Sequence, residues 1–145
     1  MHPANDDDAL RTERPIEHTR ERISQAFSDP AQLARWWGPN GFSNSFHHFD
    51  FRTGGAWRFT MHGPDGKDYL NENVFAEVVL PERIVIRHDS VPHFTLTVAL
   101  EARGDHTLLR WVQAFEDAET CAAVAKFAGN ASEQVLDRLE AVLAG

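Results

Sequence analysis

From Ala56 to Phe115 the chain repeats one arrangement, apolar residues at alternate positions broken by short clusters of turn formers. Trp57, Phe59 and Met61 alternate with Arg58, Thr60 and His62, and Gly63-Pro64-Asp65-Gly66 then stops the pattern. Because successive side chains of a strand point to opposite faces, such a run predicts a strand with one buried face. Tyr69 to Leu80 predicts a long strand ended by Pro81-Glu82, and Arg83 to His88, built on Ile84, Val85 and Ile86, predicts the next. Asp89-Ser90-Val91-Pro92 turns the chain. Phe94, Leu96, Val98 and Leu100 then alternate through another strand, and Leu109, Trp111, Gln113 and Phe115 share a side of the last. Turns this short join antiparallel neighbours, so the segment reads as a meander.

The flanks have a different period. Leu10 to Glu17 predicts a first strand, and Thr19 caps a helix in which Ile23, Ala26 and Phe27 fall on one face. Ser28-Asp29-Pro30 is a stop and a restart: Asp29 is the N-cap of a second helix over Pro30 to Trp37, and Pro30 holds a position where its missing N–H is no loss. Leu33, Trp36 and Trp37 mark its apolar side until Gly38-Pro39 ends it. In Ser43 to Arg52 the parity of Phe46 opposes that of Phe49 and Phe51, which predicts a bulge or burial on both sides. Ala118 to Ala144 predicts a long helix capped by Asp117, with Val124, Phe127, Ala128, Ala131, Val135, Leu139 and Val142 as its buried stripe. Gly129-Asn130 predicts a kink or break, with Asn130 and Glu133 spaced to cap a new helix. Residues 1–9, with three aspartates and little apolar content, read as a disordered tail ahead of one domain over residues 10–145.

Together these elements predict an α+β fold. About seven antiparallel strands form a curved sheet around a long C-terminal helix, with two short helices between strands 1 and 2. A twisted sheet and one helix seldom close all round, so the space between them is the natural binding cavity.

Charge narrows the partners. Acidic residues number 22 against 14 basic, a formal charge of −8. Nucleic acid needs a concentrated basic face, and an anionic membrane surface needs clustered cations; neither is present. Lys67 and Lys126 are the only lysines. Cys121 is the sole cysteine and reads as a small core residue, so no intrachain disulfide calls for an oxidising compartment. The N-terminus lacks the basic start and apolar run of a signal peptide, and the expectation is a cytoplasmic protein.

Several motifs carry a family resemblance: Asp29-Pro30, Leu33, Arg35-Trp36-Trp37-Gly38-Pro39, Gly41-Phe42, Asp50-Phe51-Arg52, Gly54-Gly55, Trp57-Arg58-Phe59, Gly63-Pro64-Asp65-Gly66, Pro81-Glu82-Arg83, Thr107 and Asp137-Arg138-Leu139. In these the chain resembles the heat-shock-protein-90 ATPase activator homologue family of small bacterial proteins, within the START-like, or SRPBCC, helix-grip superfamily. The resemblance covers roughly Arg11 to Leu143. It implies a helix-grip fold and a hydrophobic cavity; relatives in the superfamily include lipid carriers, hormone receptors, aromatase/cyclases and a few hydrolases, and often form homodimers. Fold-level likeness does not choose among these.

The first functional reading is a binding module for a small hydrophobic or aromatic molecule. Trp37, Phe42, Trp57, Phe59, Met61, Trp111 and Phe127 are its expected wall, and Gln113 its polar contact. The rings of Trp36, Trp37, Phe42, Trp57, Phe59 and Trp111 would otherwise fill the core. The second reading is a cyclase, dehydratase or hydrolase using the same cavity. Glu72 is then the weak catalytic candidate, because a carboxylate among apolar walls has a raised pKa; the bland alternative is a solvated strand end. The third is a surface contact with a chaperone. No cofactor is expected. His47-His48 with Asp50 shows no metal spacing, since neighbours on a regular strand face opposite ways. Arg52 is expected to pair with Asp50 beside Gly54-Gly55, a tight bend rather than a phosphate loop.

Overall fold

A computed structural model describes residues 8–128 and 131–145 of the chain, without the side chains of 127 and 128. In chain order the elements are β1 (Ala9–Ile16), α1 (Arg20–Ser28), α2 (Pro30–Trp36), β2 (Ser43–Phe49), β3 (Ala56–His62), β4 (Asp68–Val79), β5 (Arg83–His88), β6 (Phe94–Arg103), β7 (His106–Phe115), α3 (Ala118–Ala128) and α4 (Ala131–Ala144). The strands form one antiparallel sheet in the order β1-β7-β6-β5-β4-β3-β2, a meander closed by β1 returning beside β7. This is the α+β arrangement expected. Strand β1 starts at Ala9, within the stretch assigned to the tail. Residues 1–7, most of the expected tail, lie outside the described residues, as do Gly129 and Asn130 with the expected break and cap.

The helix ends follow from their caps. Thr19 Oγ1 accepts from the Arg22 N–H at 3.2 Å, the Asp29 carboxylate from the Ala31 N–H at 3.0 Å, and the Asp117 carboxylate from the Thr120 N–H at 2.7 Å. Helix α2 ends one residue earlier than its apolar pattern suggests. Trp36 stays on the helix, fully buried, and donates its indole N–H to the Ala26 carbonyl at 3.1 Å. Trp37 leaves the helix in extended conformation and turns towards the sheet, with its ring 5.0 Å from Trp57 and 5.8 Å from Trp111.

Two bulges decide which residues face inward. The register of β2 on β3 shifts between Phe46 and His48, so Phe46 pairs with Phe59 and Phe49 with Trp57, both inside. His47 and His48 are consequently both exposed, against the opposite facing expected of a regular strand. The register of β4 on β5 shifts between Phe75 and Glu77. Before that bulge Asn73 and Phe75 are buried; after it Val78 packs against the core.

Helix α4 buries Val135, Leu136, Leu139, Val142 and Leu143. Burial on this scale contributes about 1.5–3 kcal/mol per large side chain, the main force holding α4 in place. A polar staple fixes its orientation. Arg14 of β1 pairs with Glu133 at 2.7 Å, Asp137 at 2.8 Å and Glu140 at 2.9 Å, and Thr12 also donates to Glu133.

At Gly55 an added Cβ would lie 2.0 Å from the Asp50 carbonyl oxygen, so only glycine fits. The Gly54 N–H and Gly55 carbonyl complete the β4 ladder at Phe75, at 2.7 and 2.9 Å. Arg52 pairs with Asp50 at 2.8 Å beside this bend.

Candidate functional site: a chamber beneath the C-terminal helices

Cross-strand register builds the floor. Leu10, Gln113 and Leu96 are neighbours on β1, β7 and β6; the next row places Thr12, Trp111 and Val98 together. Above this floor lie Val124 of α3 and Ala131, Ser132 and Val135 of α4, and the loop Trp37-Gly38-Pro39 forms one side. They enclose a chamber of about 190 Å³. It continues past Pro39, Val124 and Ala131 into a groove of about 860 Å³ edged by Phe42, Tyr69, Pro92 and Ala123. Phe42 and Tyr69 pack against each other along its edge, 6.3 Å between ring centres.

The lining is apolar with a few neutral polar groups. Asn71 donates its side-chain N–H to the Tyr69 carbonyl at 3.0 Å. The Gln113 carboxamide, half-buried between Leu10 and Leu96, makes no hydrogen bond among the described residues. No ionisable side chain lines the chamber among those residues, and Glu119 is the one acidic or basic side chain at the groove.

The expected wall divides. Trp37, Met61, Trp111 and Gln113 line the chamber, and Phe42 lines the groove. Trp57 and Phe59 line neither. They are 0% and 1% exposed inside an aromatic cluster, where Trp57 stacks on Phe75 at 5.4 Å and contacts Phe59 at 4.6 Å. Side-chain alternation gave their face correctly but not their depth. Phe127 belongs to α3, where its side chain lies outside the described residues. Glu72 is exposed on the outer face, because Asn71 and Asn73 take the inward positions before the β4 bulge and Val78 takes one after it. It does not enter the cavity, and Cys121 is buried in α3.

Two features escaped sequence reasoning. Arg138 of α4 donates from Nη1 to the carbonyls of Gly38 at 2.7 Å and Pro39 at 2.9 Å, and from Nη2 to those of Arg35 at 2.8 Å and Phe42 at 3.0 Å. One guanidinium thus satisfies the carbonyls left open where α2 ends, and holds the loop that walls the chamber. Burial lowers its pKa from the usual arginine value. The Asp137-Arg138-Leu139 motif was the only signal.

The second is a buried polar chain on the inner face. Asn73 donates to the Trp57 carbonyl at 3.2 Å, so its Oδ1 faces His88 Nδ1 at 2.7 Å, assigning the proton to Nδ1. His88 Nε2 then accepts from the Ser90 hydroxyl at 3.2 Å, which in turn accepts from the Glu72 N–H at 3.2 Å. The ring stacks on Phe94 of the chamber floor at 4.4 Å. Burial, the largest influence, pushes its pKa down to about 4, with Asp89 opposing and His93 adding to the shift.

On the outer face Asp68 lies 2.7 Å from His62 Nδ1, and His62 Nε2 lies 2.7 Å from Ser45 Oγ. The order is that of a hydrolase relay. None of the three lines the chamber or groove, and we read them as cross-strand polar pairs on a solvated sheet. Among the described residues no three His, Cys, Asp or Glu are placed to hold a metal ion, and no helix is long and apolar enough to cross a membrane.

A sequence model of the family described as "Activator of Hsp90 ATPase homolog 1-like protein" matches residues 17–144. No curated protein matches the sequence. Among solved structures, the chain is similar to a Nitrosomonas europaea protein at 19% identity and TM-score 0.89, with 97% of each chain covered. An Arthrobacter aurescens protein aligns at 23% identity and TM-score 0.89 over 97% of this chain and 90% of its own. An AHSA1-like protein from Aeromonas hydrophila aligns at 21% identity and TM-score 0.73, over 93% and 92%. Likeness at these identities establishes a shared fold.

Proposed function

The chain belongs to the activator of Hsp90 ATPase homolog 1-like family, and from that premise we propose that it binds a small, mainly apolar molecule between sheet and C-terminal helices. One observation carries the reading: an inner face otherwise filled with side chains leaves a chamber open through an apolar groove. Apolar walls with a few placed polar groups are the usual make-up of a small-molecule site. Enzyme chemistry has less support, since the one candidate carboxylate, Glu72, faces solvent on the opposite side of the sheet. A cytoplasmic setting agrees with a single buried cysteine.

Native mass spectrometry of protein purified from its own host tests this. The expected result is a bound apolar metabolite that is lost in Ala123→Trp, a substitution at an exposed position on the groove that obstructs it without entering the core. A ligand retained at full occupancy by a folded Ala123→Trp protein overturns the assignment of the groove as its route or seat.

A further inference from the structure

We propose that the chamber selects a neutral molecule, with an apolar body and one uncharged hydrogen-bonding end that docks on Gln113. This rests on the reading of the cavity as a binding site and specifies its chemistry.

Gln113 is the polar group placed between two leucines in this apolar lining. Its carboxamide carries two donors and an acceptor, and none of them is engaged by the described residues. Its register neighbours Leu10 and Leu96 and its strand neighbour Trp111 give it an apolar frame. A hydroxyl or carbonyl arriving with an apolar body meets a ready partner there, and the body meets Leu96, Trp111 and Val135.

An ionised group meets no counter-charge. Among the described residues the chamber lining has no cation, and the Arg138 guanidinium behind the Gly38-Pro39 wall already directs four N–H bonds at four carbonyls. A buried carboxylate without a partner loses its hydration with nothing in return. The first turn of α4, at Ala131 and Ser132, favours an anion by a factor of only about 2–5. Glu119 at the groove acts against it. An ammonium has only Glu119, outside the chamber.

Three probes on one ring system separate the possibilities: naphthalene, 2-naphthol and 2-naphthoate, titrated at pH 7 while following tryptophan emission, since Trp37 and Trp111 line the chamber. The expected order places 2-naphthol about tenfold tighter than the other two, ~1.4 kcal/mol. In Gln113→Leu, 2-naphthol weakens about fivefold while naphthalene tightens. Opposite shifts in one variant cannot come from a folding defect, and the order in the unaltered protein needs no variant at all. If 2-naphthoate binds as tightly as 2-naphthol, or Gln113→Leu moves both neutral probes alike, the inference falls and the cavity reading stands. If none of the three binds, both fall.

Discussion

The inner face of the sheet is filled at one end and hollow at the other, although both ends are rich in aromatic residues. Over β2, β3 and β4 the rings of Phe46, Phe49, Phe51, Trp57, Phe59 and Phe75 lock together, with centres from 4.6 to 6.1 Å apart. Over β6, β7 and β1, Trp111 meets one other ring among the described residues, Trp37 at 5.8 Å, and the cross-strand neighbours of Gln113 are leucines. An aromatic residue is therefore core or wall according to what stands opposite it. Trp37 touches both regions and marks the boundary between them.

Replacing Trp57 by Ala should break the filled end. Loss of a fully buried indole predicts a destabilisation of about 3–5 kcal/mol in urea unfolding. A loss under about 1 kcal/mol would mean the cluster is not the packed half of the face.

The next effect in size comes from His88, which links the two halves through Asn73 and Phe94. In the fold it takes up a proton only near pH 4, whereas its ordinary value is 6.5. The unfolded chain therefore binds the proton first as the pH falls. Its contribution is complete above pH 6.5 and is lost towards pH 4 at about 1.4 kcal/mol per unit, of order 3 kcal/mol in all. Urea midpoints of the protein and of His88→Phe, compared from pH 7 to 5, should show a steeper decline for the unaltered chain. Equal slopes would mean that His88 is not held neutral.

Smaller still is Arg138→Met, which removes a donor from four carbonyls and, among the described residues, leaves only that of Pro39 its second partner, the Phe42 N–H at 3.2 Å. A stability loss of about 2 kcal/mol is expected, together with weaker binding of the neutral naphthalene probes, because the chamber wall is released while the aromatic cluster is not. Unchanged binding would place the loop outside the site.

What the chain reveals of this arrangement before folding is uneven. Alternation in β3 and β6 identifies the inward faces, because a period of two survives wherever the ladder is regular. In β2 the conflicting parity of Phe46 and Phe49 announces its bulge. In β4 no such conflict is visible: Glu72 and Val78 share parity in sequence, and only the shifted register after Phe75 sends them to opposite faces. Trp57 and Met61 share a strand face, yet one lies in the cluster and the other in the chamber, since periodicity is silent about position along the sheet. Arg138 carries no periodic signal at all; its four acceptors lie 96 to 103 positions away in the chain.

Those four carbonyls, gathered on one rigid planar group, have a kinetic corollary. A loop held by separate weak contacts can loosen one contact at a time, and a cavity behind it widens by degrees. Here the carbonyls of Arg35, Gly38, Pro39 and Phe42 share one side chain, so withdrawal of Arg138 costs the loop four hydrogen bonds at once, while Asn44 still donates to the Ala34 and Trp37 carbonyls. Loss of that one group therefore loosens the Gly38-Pro39 side of the wall in a single step.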